Sequence, residues 1–321
     1  MFQIAMEKLE IPQEIPVGLA FKLGMSVLAH PLEVSKVLIQ LGHEPVAPRA
    51  TRTLLGKPAL SLPSVFQYCG YIRRREGWSG LFRGITPRIS SIALQSFTAA
   101  KFDEMVPPEA ELSEEDTSKL TDEEKLHRFL KATLRDMANK TVCVIVSQPL
   151  QVLTVRAIAE FVGGEHKYSS DISGGIFSGI MSTVQDNGIF GLWSGVMPRL
   201  IGEVSLVAVS ASITFLINTY LLKDTEMKKF TSNFSNYIAQ SLTYPFQVVG
   251  NCMVVSRSGL AAGYPPFMPM YISWTDCFSH LKSQTQLKRG SSLFFRYYTG
   301  PQVLVGDRIM PVSSNMLKPP K

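Results

Sequence analysis

The chain has 321 residues, of which 18% are charged and 45% hydrophobic. Soluble chains carry roughly 25% charged residues, and the mean hydropathy here is positive at +0.11, so composition argues against an ordinary soluble protein. The net charge of +6 is uneven: residues 103–127 hold ten acidic residues and two lysines, and the basic surplus elsewhere fits contact with anionic lipid, with no nucleic-acid module in sight.

Five long helices are expected, at 16–41, 87–105, 126–161, 198–222 and 227–257. Residues 204–222 and 230–256 contain no Asp, Glu, Lys or Arg, and each run is long enough to cross a ~30 Å hydrocarbon core. Pro31, Pro149 and Pro245 fall inside three of the helices. A proline removes a backbone bond and crowds the preceding turn, so three equivalent kinks are expected. Between the long helices lie amphipathic stretches at 63–75, 172–185 and 271–284, too short and polar to span and suited to the membrane surface. The Gly- and Pro-rich linkers 42–58 and 259–269 read as irregular loops. Residues 1–16 show neither a signal peptide nor an Arg/Ser-rich transit peptide, so any address is expected within the helices. The four cysteines (Cys69, Cys143, Cys252, Cys277) form no CxxC pair, and a zinc site or disulfide frame is not expected.

The punctuation repeats. His30-Pro31-Leu32-Glu33-Val34-Ser35-Lys36 returns, weakened, as Gln148-Pro149-Leu150-Gln151-Val152-Leu153-Thr154 and as Tyr244-Pro245-Phe246-Gln247-Val248-Val249-Gly250. Downstream of the first two come Glu76-Gly77 and Asn187-Gly188, then Pro87-Arg88 and Pro198-Arg199. This is an internal triplication. It divides a single membrane domain, residues 1–321, into repeat 1 (16–106), repeat 2 (126–223) and a truncated repeat 3 (227–296). An acidic loop (103–127) joins the first two repeats, and an irregular tail (297–321) takes the place of a sixth spanning helix.

At 100° per residue each helix carries one polar row. The fifth has Asn233, Asn236, Gln240, Tyr244, Gln247 and Asn251. The first has Lys22, Ser26, Glu33, Lys36 and Gln40; the second Arg88, Ser91, Gln95 and Thr98. The third has Asp136, Lys140, Ser147, Gln151 and Thr154, and the fourth Glu203, Ser210, Thr214 and Asn218. Polar groups inside a membrane must face one another, water or a ligand. Such rows imply a shared polar interior, either a hydrogen-bonded core or a wet cavity, and the charges on them favour the cavity. With five helices one wall is missing, so the rows of the first and fifth should flank a groove open to lipid. Its expected lining is Lys22, Glu33, Lys36, Gln95, Lys140, Gln151, Glu203, Asn218, Asn236, Gln240, Tyr244, Gln247 and Asn251. Glu33 and Lys36 could instead pair with each other at i, i+3. No nucleophile elbow, phosphate loop, metal motif or cofactor motif is visible, and no enzymatic activity is expected.

Proline, one residue, acid, two residues, base, with a later Glu-Gly and aromatic-Arg-Gly, resembles the mitochondrial carrier family over residues 16–296. That resemblance implies an all-α, pseudo-threefold bundle of tilted, kinked helices. Carriers close one end with ion pairs among three repeats, whereas only Glu33 and Lys36 match here; Gln151, Thr154, Gln247 and Gly250 occupy the other positions. Gly42-His43-Glu44-Pro45, Leu242-Thr243-Tyr244-Pro245-Phe246 and Arg289-Gly290-Ser291-Ser292-Leu293-Phe294-Phe295-Arg296 resemble the mitochondrial carrier homolog branch more closely. That branch implies the mitochondrial outer membrane and an insertase role toward α-helical, notably tail-anchored, client proteins. It also implies lipid scrambling and the docking of apoptotic regulators, with membrane lipids and client helices as partners and no nucleic acid. A small-solute exchanger would need a closed six-helix path and two gates, and a docking receptor would use the acidic loop.

Overall fold

The computed structural model describes residues 17–52, 56, 58–109, 121–168, 175–221, 225–298, 300, 302–305 and 308–311. It is mostly helical. In chain order come α1 (Val17–Leu41), the strands β1 (Arg49–Arg52) and β2 (Pro58–Leu62), α2 (Val65–Leu81) and α3 (Ile85–Met105). Then follow α4 (Asp122–Gly163), α5 (Gly175–Asn187), a 3-10 turn (Ile189–Trp193) and α6 (Val196–Leu216), which widens into a π turn at Ile217–Leu221. α7 (Thr225–Val255), α8 (Trp274–Ser283) and three short strands, β3 (Arg296–Tyr297), β4 (Gln302–Val305) and β5 (Arg308–Pro311), complete the chain.

Local signals set several boundaries. Ser64 and Gln67 cap the start of α2 reciprocally, as Thr121 and Glu124 cap α4, whose first turn adds Asp122 and Glu123. A side chain on the N-cap and acids in the first turn satisfy free amides and oppose the positive end of the helix dipole. Pro31, Pro149 and Pro245 lie inside α1, α4 and α7. Among the described residues three stretches are long and apolar enough to cross a membrane: Val17–Leu41, Asp122–Gly163 and Ile189–Tyr220.

Gly84 and Gly195, just before α3 and α6, have φ of 71° and 69°, a conformation open to glycine. Each also meets the backbone of the next proline-kinked helix. A Cβ would stand 2.9 Å from the Thr154 carbonyl at Gly84 and 2.6 Å from the Gly250 carbonyl at Gly195. Thr154 and Gly250 each lie five residues beyond the proline of their helix, so the two junctions are built alike. Each glycine follows another by seven residues, Gly77 then Gly84 and Gly188 then Gly195; seven beyond Gly290 stands Tyr297. A tyrosine is a poor left-handed cap, and the chain there continues extended: β3 pairs with β2. No sixth long helix follows among the described residues.

The sheet corrects two expectations. The linker 42–58 is not wholly irregular, because β1 pairs antiparallel with β2. The tail is not wholly irregular either, because β4 and β5 form a hairpin that touches β1 and β2; residues 312–321 lie outside the described residues. An all-α description therefore misses a small sheet. The third strand of that sheet arrives from more than two hundred residues away, and a local pattern cannot announce it.

The helices pack as a row, α3 on α4, α4 on α6 and α6 on α7, with α1 held more loosely against α3, α4 and α7. The apolar core gathers at one end, among Val34, Leu38, Val155, Ile158, Phe161, Val248 and Val255. Arg83 bonds Glu76 at 2.7 Å and Glu160 at 3.5 Å there, and Arg296 bonds Glu44 and the Pro63 carbonyl at 2.7 Å. His30 is fully buried beside them and bonds the Arg83 carbonyl at 2.9 Å, a packing role.

Candidate functional groove

A cavity of about 450 Å³ opens between α1, α4, α6 and α7. α1 contributes Glu33 and Lys36, α4 Gln151, α6 Glu203, and α7 Gln240, Tyr244, Gln247 and Asn251. Eight of the thirteen expected lining residues thus share one space. Three others, Lys22, Gln95 and Lys140, line a neighbouring cavity of about 370 Å³ with Asp136 and Asn139. The two spaces adjoin at an ion pair, Lys140 to Glu203 at 2.9 Å. Asn218 and Asn236 line neither. Asn236 accepts a bond from Ser210 at 2.6 Å, and Asn218 lies in the π turn after α6.

The charges inside are arranged across helices. Glu33 pairs with Arg88 of α3 at 2.8 Å, not with Lys36. Arg88 also donates to Gln151 at 3.3 Å, and Arg199 donates to Gln148 at 2.7 Å. Both arginines are the second residue of a Pro-Arg pair one turn into α3 or α6, so they enter from equivalent places. Lys36 stands over the Tyr244 ring, 5.0 Å from its centroid. A desolvated cation over an aromatic face is favourable by about 1–2 kcal/mol, which leaves Lys36 the lining base held by a ring rather than by a carboxylate.

Sequence reasoning missed Gln148 and Arg199 as lining residues, and it put Arg88 and Gln40 in polar rows without assigning them to the groove. The repeated Pro-Arg was the available signal for both arginines. Gln40 is the residue on which α1 and α7 converge. Its Nε2 donates to Tyr244 Oη at 2.8 Å, and its Oε1 accepts from Asn251 at 2.7 Å. Its carbonyl accepts from Arg289 Nε at 2.6 Å.

Away from Gln40 the same two helices are bare. Phe21 and Leu28 of α1 are 69% and 76% exposed, and Phe230 and Tyr237 of α7 are 72% and 73% exposed. Gln240 and Gln247 are exposed while lining the cavity. The arrangement is a polar cleft with apolar lips. Among the described residues no cluster of His, Cys, Asp and Glu is placed to hold a metal ion.

Comparison with known proteins gives consistent results. The profile of the family described as "Mitochondrial carrier protein" matches residues 7–106 and 127–225. "Mitochondrial carrier homolog 2" of Bos taurus is 36% identical over 281 residues, covering 85% of this chain and 91% of that protein. The Homo sapiens protein of the same name is 35% identical over the same shares. "Mitochondrial carrier homolog 1" of Mus musculus is 35% identical over 297 residues, covering 85% of this chain and 74% of that protein.

Proposed function

The chain belongs to the mitochondrial carrier protein family, and from that premise we propose that it is an insertase of the mitochondrial outer membrane. It receives α-helical clients, tail-anchored proteins among them, through a polar groove open sideways to lipid. The fold behind this reading is a pseudo-threefold bundle of five spanning helices, α1, α3, α4, α6 and α7, whose third repeat lacks its second helix. The matched junctions at Gly84 and Gly195 support the threefold plan, and Tyr297 at the third such place supports the missing helix. α3 and α7 are less apolar than the other spans, since α3 ends in Lys101, Asp103 and Glu104 and α7 carries five Asn and Gln residues.

The physical task is narrow. Transfer of ~20 apolar residues from water to hydrocarbon is itself favourable; the barrier is the short hydrophilic end that must cross with them. Glu33, Lys36, Gln151 and Gln247 offer that end hydrogen bonds and charge in place of water, while the apolar part slides out between α1 and α7. No covalent step, metal or cofactor is required. The observation that carries the reading is the place of the cavity. Its polar lining reaches the α1–α7 boundary, where both helices present exposed apolar side chains.

The test uses purified protein in liposomes and a radiolabelled tail-anchored client, scored by formation of a protease-protected fragment. Protection above empty liposomes, altered by Lys36→Glu at equal protein level, is the expected result. Protection equal to that of empty liposomes overturns the reading. A second reading, lipid scrambling through the same cleft, is favoured by Lys36, Arg88 and Arg199 on the lining, since such cations suit a phosphate headgroup. Lipid flip in the same vesicles measures it.

A further inference from the structure

We propose that the contact between α1 and α7 is a latch, pinned at Gln40, that sets how far the groove opens to lipid. Gln40 is fully buried and its side chain is used at both ends, by Tyr244 and by Asn251. The Tyr244 hydroxyl passes the chain on to the Arg289 carbonyl at 3.0 Å. Arg289 returns it, with Nε on the Gln40 carbonyl at 2.6 Å and Nη2 on the Cys252 sulfur at 3.1 Å. The result is a closed cycle joining α1, α7 and the turn after α8. Such a network fixes one relative placement of two helices that otherwise touch little.

The prolines give the latch leverage. Pro31 lies between the pinned and the bare part of α1, and Pro245, at the start of the pinned part of α7, leaves the carbonyl of Ser241 in the bare part without its helical bond. In α1 nearly every residue from 30 onward is buried or half-buried, while most of residues 17–29 are exposed; in α7 most of residues 243–255 are covered, and most of 230–242 are exposed. A helix bends most easily where proline has removed a backbone bond. A small turn at Gln40 therefore becomes a larger separation of the outer halves.

The chemistry of the pin makes this a population shift rather than an unfolding. Gln40, Tyr244 and Asn251 all line the polar cavity, so groove water can take over their hydrogen bonds when they part. An exchange of protein bonds for water bonds has a small net cost, which leaves closed and parted states close in free energy. Lys36 rests on the ring of Tyr244, so a client engaging Lys36 acts on the latch directly.

The latch stands on geometry, and only its effect on client insertion rests on the function proposed above. The test measures both, in a Cys69→Ser background. Nitroxide labels on Ala29→Cys of α1 and Gln240→Cys of α7, two positions on the cavity wall, report the separation by electron-electron distance measurement in liposomes. Gln40→Leu removes both side-chain bonds, and Tyr244→Phe removes one hydroxyl while keeping the ring over Lys36. Each is expected to lengthen and broaden the distance distribution, and to raise the parted population about fivefold for each bond lost. An unchanged distribution in Tyr244→Phe, which is the milder change and decides the matter should Gln40→Leu not fold, overturns the latch. A lengthened distribution with client protection unchanged from the unsubstituted protein upholds the latch and overturns its control of insertion, whereas protection equal to that of empty liposomes in every variant overturns the insertase reading alone.

Discussion

The two ends of the bundle are built on opposite terms. At the end where α1 and α7 finish, glycines sit against backbone, arginines hold carboxylates across helices, and the apolar core is continuous. At the end where they begin, α3, α4 and α6 still touch, as in the Phe129–Phe215 stack at 4.4 Å and the Arg135 bond to Asp103. There most residues of α1 and α7 are exposed. The closed end specifies the fold and the parted end leaves room for a guest, so substitutions of one kind should act differently at the two.

The largest expected effect lies in the closed end. Glu160 is fully buried and binds Arg83, which also holds Glu76. Glu160→Gln weakens the buried carboxylate's charge-assisted bonds to Arg83 and to the Tyr168 amide while Arg83 keeps Glu76, at a cost of about 3 kcal/mol. In detergent the thermal midpoint should fall steeply, and a midpoint unchanged from wild type would show that Arg83 is satisfied without it. Glycine to alanine gives the sharper comparison. Gly195→Ala places a Cβ against the Gly250 carbonyl at positive φ and should cost about 2–3 kcal/mol. Gly24→Ala, in the bare half of α1 with nothing within 4 Å of the new atom, should stabilise by about 0.5–1 kcal/mol. Two thermal melts decide it, and equal effects at the two sites would erase the distinction drawn between the ends.

The same contrast governs what could be read in advance. The boundaries of α1, α4 and α7 follow from apolar runs punctuated by proline, and the surface helices α2, α5 and α8 from short amphipathic pattern, because these signals are local. The polar rows put Glu33, Lys36, Gln151, Glu203, Gln240, Tyr244, Gln247 and Asn251 on one interior, and the structure brings these together. Two row members fall outside: Asn218 lies where α6 widens into the π turn at Ile217–Leu221, and Asn236 is bonded by Ser210 of α6. Partner choice was also hidden: Glu33 has Lys36 three residues away on its own helix, yet takes Arg88 from another. β3 pairs with β2 across most of the chain, beyond any local pattern.

The smallest loss of stability separates the ends by pH. His43, just past α1, lies with its ring 6.1 Å from that of Phe161 and 6.2 Å from that of Phe267. Burial, with the nearby Arg75 charge, pushes its pKa down from 6.5 to about 4. The folded value is below the unfolded one, so the neutral ring contributes stability that is whole above pH 6.5 and is lost as pH falls toward about 4. The loss should reach about 1–2 kcal/mol once the screening of a partly buried group is allowed for. Glu44 beside it is pushed up by burial and gives the opposite slope, so the informative quantity is the difference between wild type and His43→Gln. That difference in thermal midpoint should be constant above pH 6.5 and shrink below it, as the wild type gives up what the variant never had. A difference that stays flat down to pH 4 would mean that His43 takes up its proton in the fold as readily as in the unfolded chain, and that the closed end is wetter than its packing implies.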